Sequence, residues 1–339
     1  ESGSSGELPD IALPVSVNLE DIAITDIAIY PVGQEEAIQI DRVALSASAE
    51  ASDIRLTRFD VLAPQGELHV NGDVTLSGDY HMDLSLEWLA DIGQSSPVQG
   101  EGTLAGSLAS LQLDHRISGF AEADIAATVT DVTQSPAWEA SVEGSLPDAA
   151  SLAPQLSGTP RVSLTSSGTP DDYQAQLRLN ATTSDTGPVT LDADVSGSTQ
   201  MLDIRSLVAS LDENEGQLSV SGEVTFASLQ GELDGQWQSL SWPLEGEPQF
   251  SSPEGSFDVK GSLEQFTANL NTEVDGAAIP EGQWSVSLDG SSTALSDFTV
   301  QGQTLEGTMT VNGVASWEDQ PTWDVDVVTD GINPGAQWQ

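Results

Sequence analysis

Apolar and polar residues alternate along most of this chain with a period of two. Leu68, Val70, Val74 and Leu76 share one parity with Gly72, while acidic and small polar residues take the positions between them. Successive side chains of a β-strand point to opposite faces, so the alternation predicts strands with one apolar and one water-facing side. Sheets of this kind are typically antiparallel.

The alternation recurs at residues 82–88, 218–226 and 309–317. Clusters rich in Pro, Gly, Ser and Asn separate such segments and are typical of turns. Helical stretches are few: residues 49–52 and 146–152 could each form a short turn. Neither has the length or the caps of a standard helix. The predicted fold class is all-β: a long, mostly antiparallel sheet with few or no helices.

Three stretches repeat one pattern: a strand and a turn, followed by an apolar residue, Val and Gly at alternate positions. The copies are residues 59–72, 206–222 and 297–313. Their irregular spacing argues against propeller blades or solenoid coils of fixed length. It favours recurring strand groups within one long sheet, which we expect at about 11–140, 141–245 and 246–339 after a linker-like start over 1–10.

The glycine that ends each copy allows two interpretations. Asn71-Gly72 and Asn312-Gly313 have the sequence of tight hairpin turns, but the equivalent Ser221-Gly222 lacks the asparagine. The apolar parity also continues through all three glycines. We therefore predict a glycine inside a strand, marking a bulge or a close approach of two backbones.

The charge of the chain is strongly acidic. Lys and Arg total 8 against 54 Asp and Glu, a formal net charge of -46, and Lys260 is the only lysine. Such a surface repels nucleic-acid phosphates, so no nucleic-acid partner is expected. The carboxylates keep an extended protein soluble, and we hypothesise a high-salt habitat in which this charge is screened. A lower melting temperature in molar salt than in low salt would contradict that hypothesis.

Candidate chemistry is sparse, and no catalytic residue, metal site or cofactor is predicted. The chain has no cysteine, which excludes disulfides and thiol catalysis. His69, His81 and His115 lack a metal-ligand spacing and are interpreted as solvated surface residues. The acidic run at 212–216 resembles a calcium loop, but Gln217 takes the place of the glycine that such a loop needs, which favours a polar hairpin loop. Nucleophile-elbow and phosphate-loop motifs are absent.

Several motifs together resemble one family. Residues 13–24, LPVSVNLEDIAI, are similar to the opening P-x-x-V-x-L-x-x-I-x-I of TamB-type proteins, and a strand pair at 38–45 follows as in that family. Residues 240–255 and 317–335 are similar to recurring TamB elements. Each motif alone is degenerate, but their order is more specific. The chain therefore resembles, over nearly its whole length, the TamB-like branch of the AsmA-type lipid-transport proteins.

The resemblance implies a fold, a function and partners. It implies a sheet curled lengthwise into an elongated apolar groove, a β-taco, within an inner-membrane-anchored protein of the Gram-negative periplasm. It implies conduction of phospholipid acyl chains toward the outer membrane, support of outer-membrane biogenesis and an outer-membrane barrel partner similar to TamA. No run of about 20 apolar residues is present, so we expect the anchor to lie outside this sequence. The resemblance implies the same for the region associated with the outer-membrane partner.

The candidates for the lining of the groove are inward apolar residues of the clearest strands. They are Leu68, Val70, Val74, Leu76, Leu84, Leu86, Leu218, Val220, Val224, Phe226, Phe257, Val259, Met309 and Val311. Small inward residues, for which we take Gly72, Ala105 and Ala315, are expected to leave room for lipid tails.

Periodicity does not separate an open groove from a filled core. The main alternative is an acidic secreted or cell-surface module made of β-sandwiches, which would bury the same residues. An enzyme of the β-helix type is a further alternative, because acidic residues are plentiful. The irregular repeat lengths argue against it.

Overall fold

The computed structural model describes residues 8–30, 37–94, 96–184, 187–211, 216–242, 248–276, 279–318 and 320–337. Strands dominate this part of the chain, and its only helical elements are two three-residue 3-10 turns. The predicted all-β antiparallel fold class is confirmed. The 3-10 turns are Ala149–Ser151, inside the short helical stretch expected from the sequence, and Pro334–Ala336.

The strands are β1 Val17–Ile29, β2 Ile38–Glu50, β3 Asp53–Ala63, β4 Gly66–Thr75, β5 Met82–Ala90, β6 Val98–Ser107, β7 Ser110–Gly119, β8 Glu122–Thr130, β9 Ala137–Ser145, β10 Leu156–Thr169, β11 Asp172–Thr183, β12 Gly187–Gly197, β13 Met201–Leu211, β14 Gly216–Thr225, β15 Gln230–Trp242, β16 Phe250–Gly261, β17 Phe266–Gly276, β18 Gly282–Gly290, β19 Ala294–Thr304, β20 Gly307–Ser316 and β21 Thr322–Asp330.

The chain packs as two units. Unit 1 comprises Glu1–Pro154 with Gly158–Pro170, and unit 2 comprises Gln155–Ser157 with Asp171–Gln339. In unit 1 each strand from β1 to β10 pairs antiparallel with the next. In unit 2 the same holds from β11 to β21. The division into three strand groups stays a prediction.

The repeated sequence pattern forms a repeated hairpin with a bulge. The first strand of each copy has an irregular register, between Leu56 and Phe59 in β3, Ile204 and Leu207 in β13, and Leu295 and Phe298 in β19. Leu56 and Ile204, the residues just before the irregularity, lie opposite Gly72 and Gly222. In the third copy Leu295 lies opposite Ala315, two residues after Gly313. Bulges bend and twist a strand, which is consistent with the lengthwise curl that the resemblance implied.

The repeat glycines lie inside strands, as predicted. Gly72 and Gly222 both have a φ of 144°, a conformation that favours glycine. A Cβ atom on Gly72 would collide with the carbonyl oxygen of Asp83, and one on Gly222 with that of Glu232. The glycines therefore permit a close approach of the adjacent strand, and the hairpin-turn interpretation is wrong.

The few basic residues cross-link adjacent strands on the polar face. Arg55 lies directly opposite Asp73, and its Nε donates a hydrogen bond of 2.8 Å to that carboxylate. Arg116 with Asp124, Arg178 with Asp192 and Lys260 with Glu232 repeat this arrangement, also as directly opposed pairs. In each case the hydrogen bond to the carboxylate raises the pKa of the basic side chain. Opposed charges of this kind favour the observed register.

Other carboxylates lie directly opposite one another. Asp289 of β18 faces Asp297 of β19, and Glu87 of β5 faces Glu101 of β6. Like charges at directly opposed positions destabilise a sheet, and salt screens them. The sheet is therefore expected to be more stable at high ionic strength, as the high-salt hypothesis also predicts.

We expect Asp289→Asn to raise the melting temperature in low salt by about 1–3 °C, because it removes one of these repulsions. The gain should shrink in molar NaCl. Asp124→Asn is the matched control, because this substitution removes the ion pair with Arg116 and should lower the melting temperature instead. Thermal unfolding followed by circular dichroism measures both, and equal effects of the two variants would contradict the assignment.

Candidate functional site

The apolar residues of each unit line up in rows that cross the strands. Residues paired in register lie on the same face of a sheet, so the pairings define each row. The central row of unit 1 joins one inward residue from each of nine strands: Leu45, Phe59, Val70, Leu86, Gly102, His115, Ile125, Val142 and Leu164.

The central row of unit 2 is longer and crosses all eleven of its strands. It joins Leu177, Ala193, Leu207, Val220, Gly235, Phe257, Leu270, Val286, Val300, Val311 and Val327. Strands lie about 4.8 Å apart, so this row follows the sheet for roughly 48 Å.

Charge is excluded from this face. Neither central row, nor the row on either side of it, contains an Asp, Glu, Lys or Arg in any of the strand pairings that define it. We call this the inner face and the opposite one the outer face. In a chain with 54 acidic residues, this separation leaves an inner surface that is uncharged in these rows and mostly apolar. Its low polarity makes it suitable for contact with hydrocarbon.

The inner face is not covered by a second layer within the described residues. Only four apolar residues of the described chain are buried, and two of them lie elsewhere, Ala44 on the outer face and Ala149 in a 3-10 turn. The other two are Val98 and Phe120, and no large side chain is fully buried. Residues of the central rows remain partly exposed. A closed β-sandwich would bury its inward residues in a packed core. Much apolar surface is therefore left accessible to a ligand.

Most of the predicted lining residues stand in these rows. Val70, Leu86, Val220, Phe257 and Val311 belong to the central rows. The neighbouring rows hold Leu68, Leu84, Leu218, Val259 and Met309, and the next rows out hold Val74 and Val224.

Two of the predicted residues lie outside the strands. Leu76 follows β4, where its carbonyl accepts a hydrogen bond of 2.8 Å from the backbone N–H of Ile11. Phe226 follows β14 and is 43% exposed. That any of the fourteen residues lines a lipid path stays a prediction.

The small residues need correction. Gly72 lies on the inner face, but the adjacent backbone fills the space beside it, so it does not leave room for a lipid tail. The prediction that Ala105 points inward is wrong, because this residue pairs with Asp83 and Gln112 on the outer face. Ala315 is inward, between Leu295 and Trp323 in register.

Aromatic side chains lie over glycines of the neighbouring strand on the inner face. A Cβ atom on Gly302 would lie 2.6 Å from the Trp284 ring, and one on Gly255 would collide with Trp237. Trp237 Nε1 donates to Ser252 Oγ at 2.7 Å and Trp284 Nε1 to the carbonyl of Pro280 at 3.2 Å. The hydrogen bonds and the missing Cβ atoms together hold these indoles against the sheet.

His115 was interpreted as a solvated surface residue, and this is wrong. It stands in the central row of unit 1, directly between Gly102 and Ile125. Its ring stacks at 6.0 Å from Trp88, whose Nε1–H donates to His115 Nε2 at 3.1 Å. The sequence carried the signal, because His115 shares the parity of Leu113 and Ile117.

His69 occupies the outer face, as its parity predicted. Its Nδ1 lies 2.9 Å from Asp60 Oδ1, and Arg58 Nε is 3.3 Å from the other oxygen of that carboxylate. The hydrogen bond to Asp60 raises the pKa of His69, against a smaller effect of desolvation. This cluster joins β3 to β4 on the outer face, beside the bulge.

Because the pKa of His69 in the folded protein lies above its ordinary value of 6.5, the pair with Asp60 stabilises the fold fully below about pH 6.5. The contribution is lost as the pH rises through the raised pKa. We expect the wild type to exceed His69→Gln in melting temperature at pH 5.5, by a margin that vanishes toward pH 9. Asp60→Asn should remove the same pH dependence, and a margin that grows with pH would contradict the pairing.

The described residues contain no group of three or more His, Cys, Asp or Glu placed to hold a metal ion. The acidic run at 212–215 lies outside the described residues. In the same part of the chain, none of the helices reaches the length and hydrophobicity that a membrane span requires.

Comparison with known proteins gives one family. The family model TamB, N-terminal domain, matches residues 4–229 and matches a second time over residues 227–339. No solved structure matches the chain. The two family matches cover nearly the whole sequence and confirm the resemblance found in its motifs. The chain belongs to the TamB family, as TamB N-terminal domain sequence.

Proposed function

We propose that this chain is a periplasmic section of a bridge between the inner and outer membranes, and that it conducts phospholipid along the apolar inner faces of its sheets. The observation that carries the proposal is the uncharged, uncovered inner face, whose central rows cross nine strands in unit 1 and eleven in unit 2. The TamB family has a role in envelope lipid transport or outer-membrane assembly, and it is not a family of known enzymes.

The energetics of lipid in water favour such a path. Exposing an acyl chain costs roughly 0.8 kcal/mol per methylene group, so a tail does not cross an aqueous compartment bare. A row of alternating inward residues offers apolar contact at every strand. Since neighbouring rows are chemically similar, a tail can move from strand to strand without leaving a deep binding pocket.

The outer face has a different part in the proposal. Its carboxylates keep water on the side that faces solvent and hold the sheet apart from other copies of itself. The lipid headgroup would remain in water, and only the tails would contact the inner face. Contact with an outer-membrane partner similar to TamA, anchoring in the inner membrane and support of outer-membrane biogenesis belong to the proposal as functions of the whole protein.

The competing proposal, a cell-surface β-sandwich module, has less support. It requires the inner residues to be packed against a second sheet, whereas the central rows are partly exposed. Limited proteolysis separates the two ideas, because closed sandwiches should yield compact fragments that resist further cleavage.

The proposal is tested by native mass spectrometry of the chain purified from a lysate that contains membranes. We expect the protein to carry masses that match phospholipid, and these masses should disappear after washing with detergent. A well-folded protein that never carries lipid, even after incubation with phosphatidylglycerol vesicles, would count against lipid conduction.

A further inference from the structure

One inner residue carries a side chain that can bind a proton and become charged. Across the central rows and the rows beside them, His115 is the only side chain of the described strands with a titratable group of this kind. The other residues of these rows are aliphatic, aromatic, glycine, methionine or hydroxyl-bearing. An imidazole can bind a second proton and become a cation, so protons can introduce a charge at this place.

The hydrogen bond with Trp88 fixes the neutral form of the ring. An indole N–H only donates, so His115 Nε2 must be the acceptor and cannot carry a proton. The neutral ring then has its proton on Nδ1, which is buried without a hydrogen-bond partner. A Cβ atom on Gly102 would collide with Nδ1, so the glycine provides the space that the ring occupies.

The surroundings offer no counter-charge on the same face. The strands beside His115 present Leu86, Trp88 and Ile125 on the inner face, together with Gly100 and Gly102.

The ionised groups nearest in sequence and register point to the outer face. They are Glu87, Glu101, Asp114, Arg116 and Asp124. Protonation at Nε2 would therefore break the bond with Trp88 and place an uncompensated cation among apolar side chains.

We propose that His115 makes the apolar face of unit 1 sensitive to protons. The face accepts lipid tails while His115 is neutral and releases them when the ring is protonated. The inference rests on the proposed function, because it concerns the same face and the same acyl-chain ligand. It assigns to one residue a control that the remaining rows lack. Lipid contact near His115 should thus depend on pH, while lipid contact in unit 2 should not.

The test places a photocrosslinking amino acid at Ile125, which lies opposite His115, and in a second protein at Leu270 in unit 2. Phosphatidylcholine vesicles serve as the lipid source, because their headgroup keeps its charge between pH 8 and 5.5. We expect crosslinking to lipid at Ile125 to fall at least threefold between these pH values. Crosslinking at Leu270 should stay constant.

His115→Gln is the matched variant, because its amide oxygen can still accept from Trp88 and does not titrate. In that variant the crosslinking at Ile125 should be the same at both pH values. An equal fall in His115→Gln, or a constant signal in the wild type, would overturn the inference and leave the proposed function intact. Absence of crosslinks at both positions at pH 8 would instead overturn the proposed function, and this inference with it.

A measurement without lipid checks the same switch. In protein labelled with ¹⁵N-tryptophan, the indole signal of Trp88, assigned with Trp88→Phe, should move between pH 8 and 5.5. In His115→Gln the same signal should not move between these pH values. A signal that does not move in the wild type would show that the ring is not protonated over this range and would overturn the inference.

Discussion

Gly222→Ala is expected to lower the free energy of unfolding by about 2–4 kcal/mol. The added methyl group would meet the carbonyl oxygen of Glu232 and lie 2.8 Å from the Cα of Leu233, both backbone atoms that cannot turn away. The φ of 144° is also unfavourable for any residue with a Cβ atom. The neighbouring strand would have to separate, which breaks the repeat hairpin at its bulge.

Urea unfolding followed by circular dichroism measures this loss of stability. Gly231→Ala is the matched control, because that glycine lies in the same unit and its nearest contact to an added Cβ is 3.3 Å. It should cost far less than Gly222→Ala. Similar losses in the two variants would contradict the close backbone approach, and Gly72→Ala should reproduce the result in unit 1.

Val220→Glu is expected to reduce bound phospholipid roughly tenfold, equivalent to about 1.4 kcal/mol of binding free energy. Val220 stands in the central row of unit 2 between Leu207 and Gly235. A carboxylate there would have to be desolvated by any tail that passes it. The position is only partly buried, so we expect the fold itself to survive the change.

Ser219→Glu provides the control for Val220→Glu, because it adds the same charge one residue earlier. Ser219 faces the outer side, opposite Val208 and Gln236, where no carboxylate lies directly across. We expect it to retain wild-type lipid binding in native mass spectra. Equal loss in both variants would mean that charge or stability, rather than the inner face, controls the amount of lipid.

The sequence predicts much of this fold because burial follows parity. The alternation around Leu68 and Leu218 sets both the strands and their faces, and the bulged hairpins follow from the repeated glycine. Acidic residues fall at the alternate positions for the same reason. Parity could also have prevented the errors at Ala105 and His115, since Ala105 alternates with the inward Leu104 and His115 shares the parity of the inward Leu113.

Other features need the register, which sequence alone does not supply. The parity of apolar residues shifts between Leu56 and Phe59, and only the pairing with β4 explains the shift as a bulge. The aromatic rings over glycines belong to neighbouring strands, so Trp284 and Gly302 meet through pairing rather than sequence proximity. The degree of exposure of the inner face likewise depends on what packs against it, and periodicity carries no information about that.

A photocrosslinking scan along β14 in the presence of phospholipid vesicles tests whether acyl chains contact the inner face. Gln217, Leu218, Ser219 and Val220 are successive residues of one strand, alternately outward and inward. An acyl-chain path on the inner face should give strong lipid crosslinks at Leu218 and Val220 and weak ones at Gln217 and Ser219, a period of two. Uniform crosslinking along the strand, or crosslinks stronger at the outward positions, would contradict an acyl-chain path on the inner face.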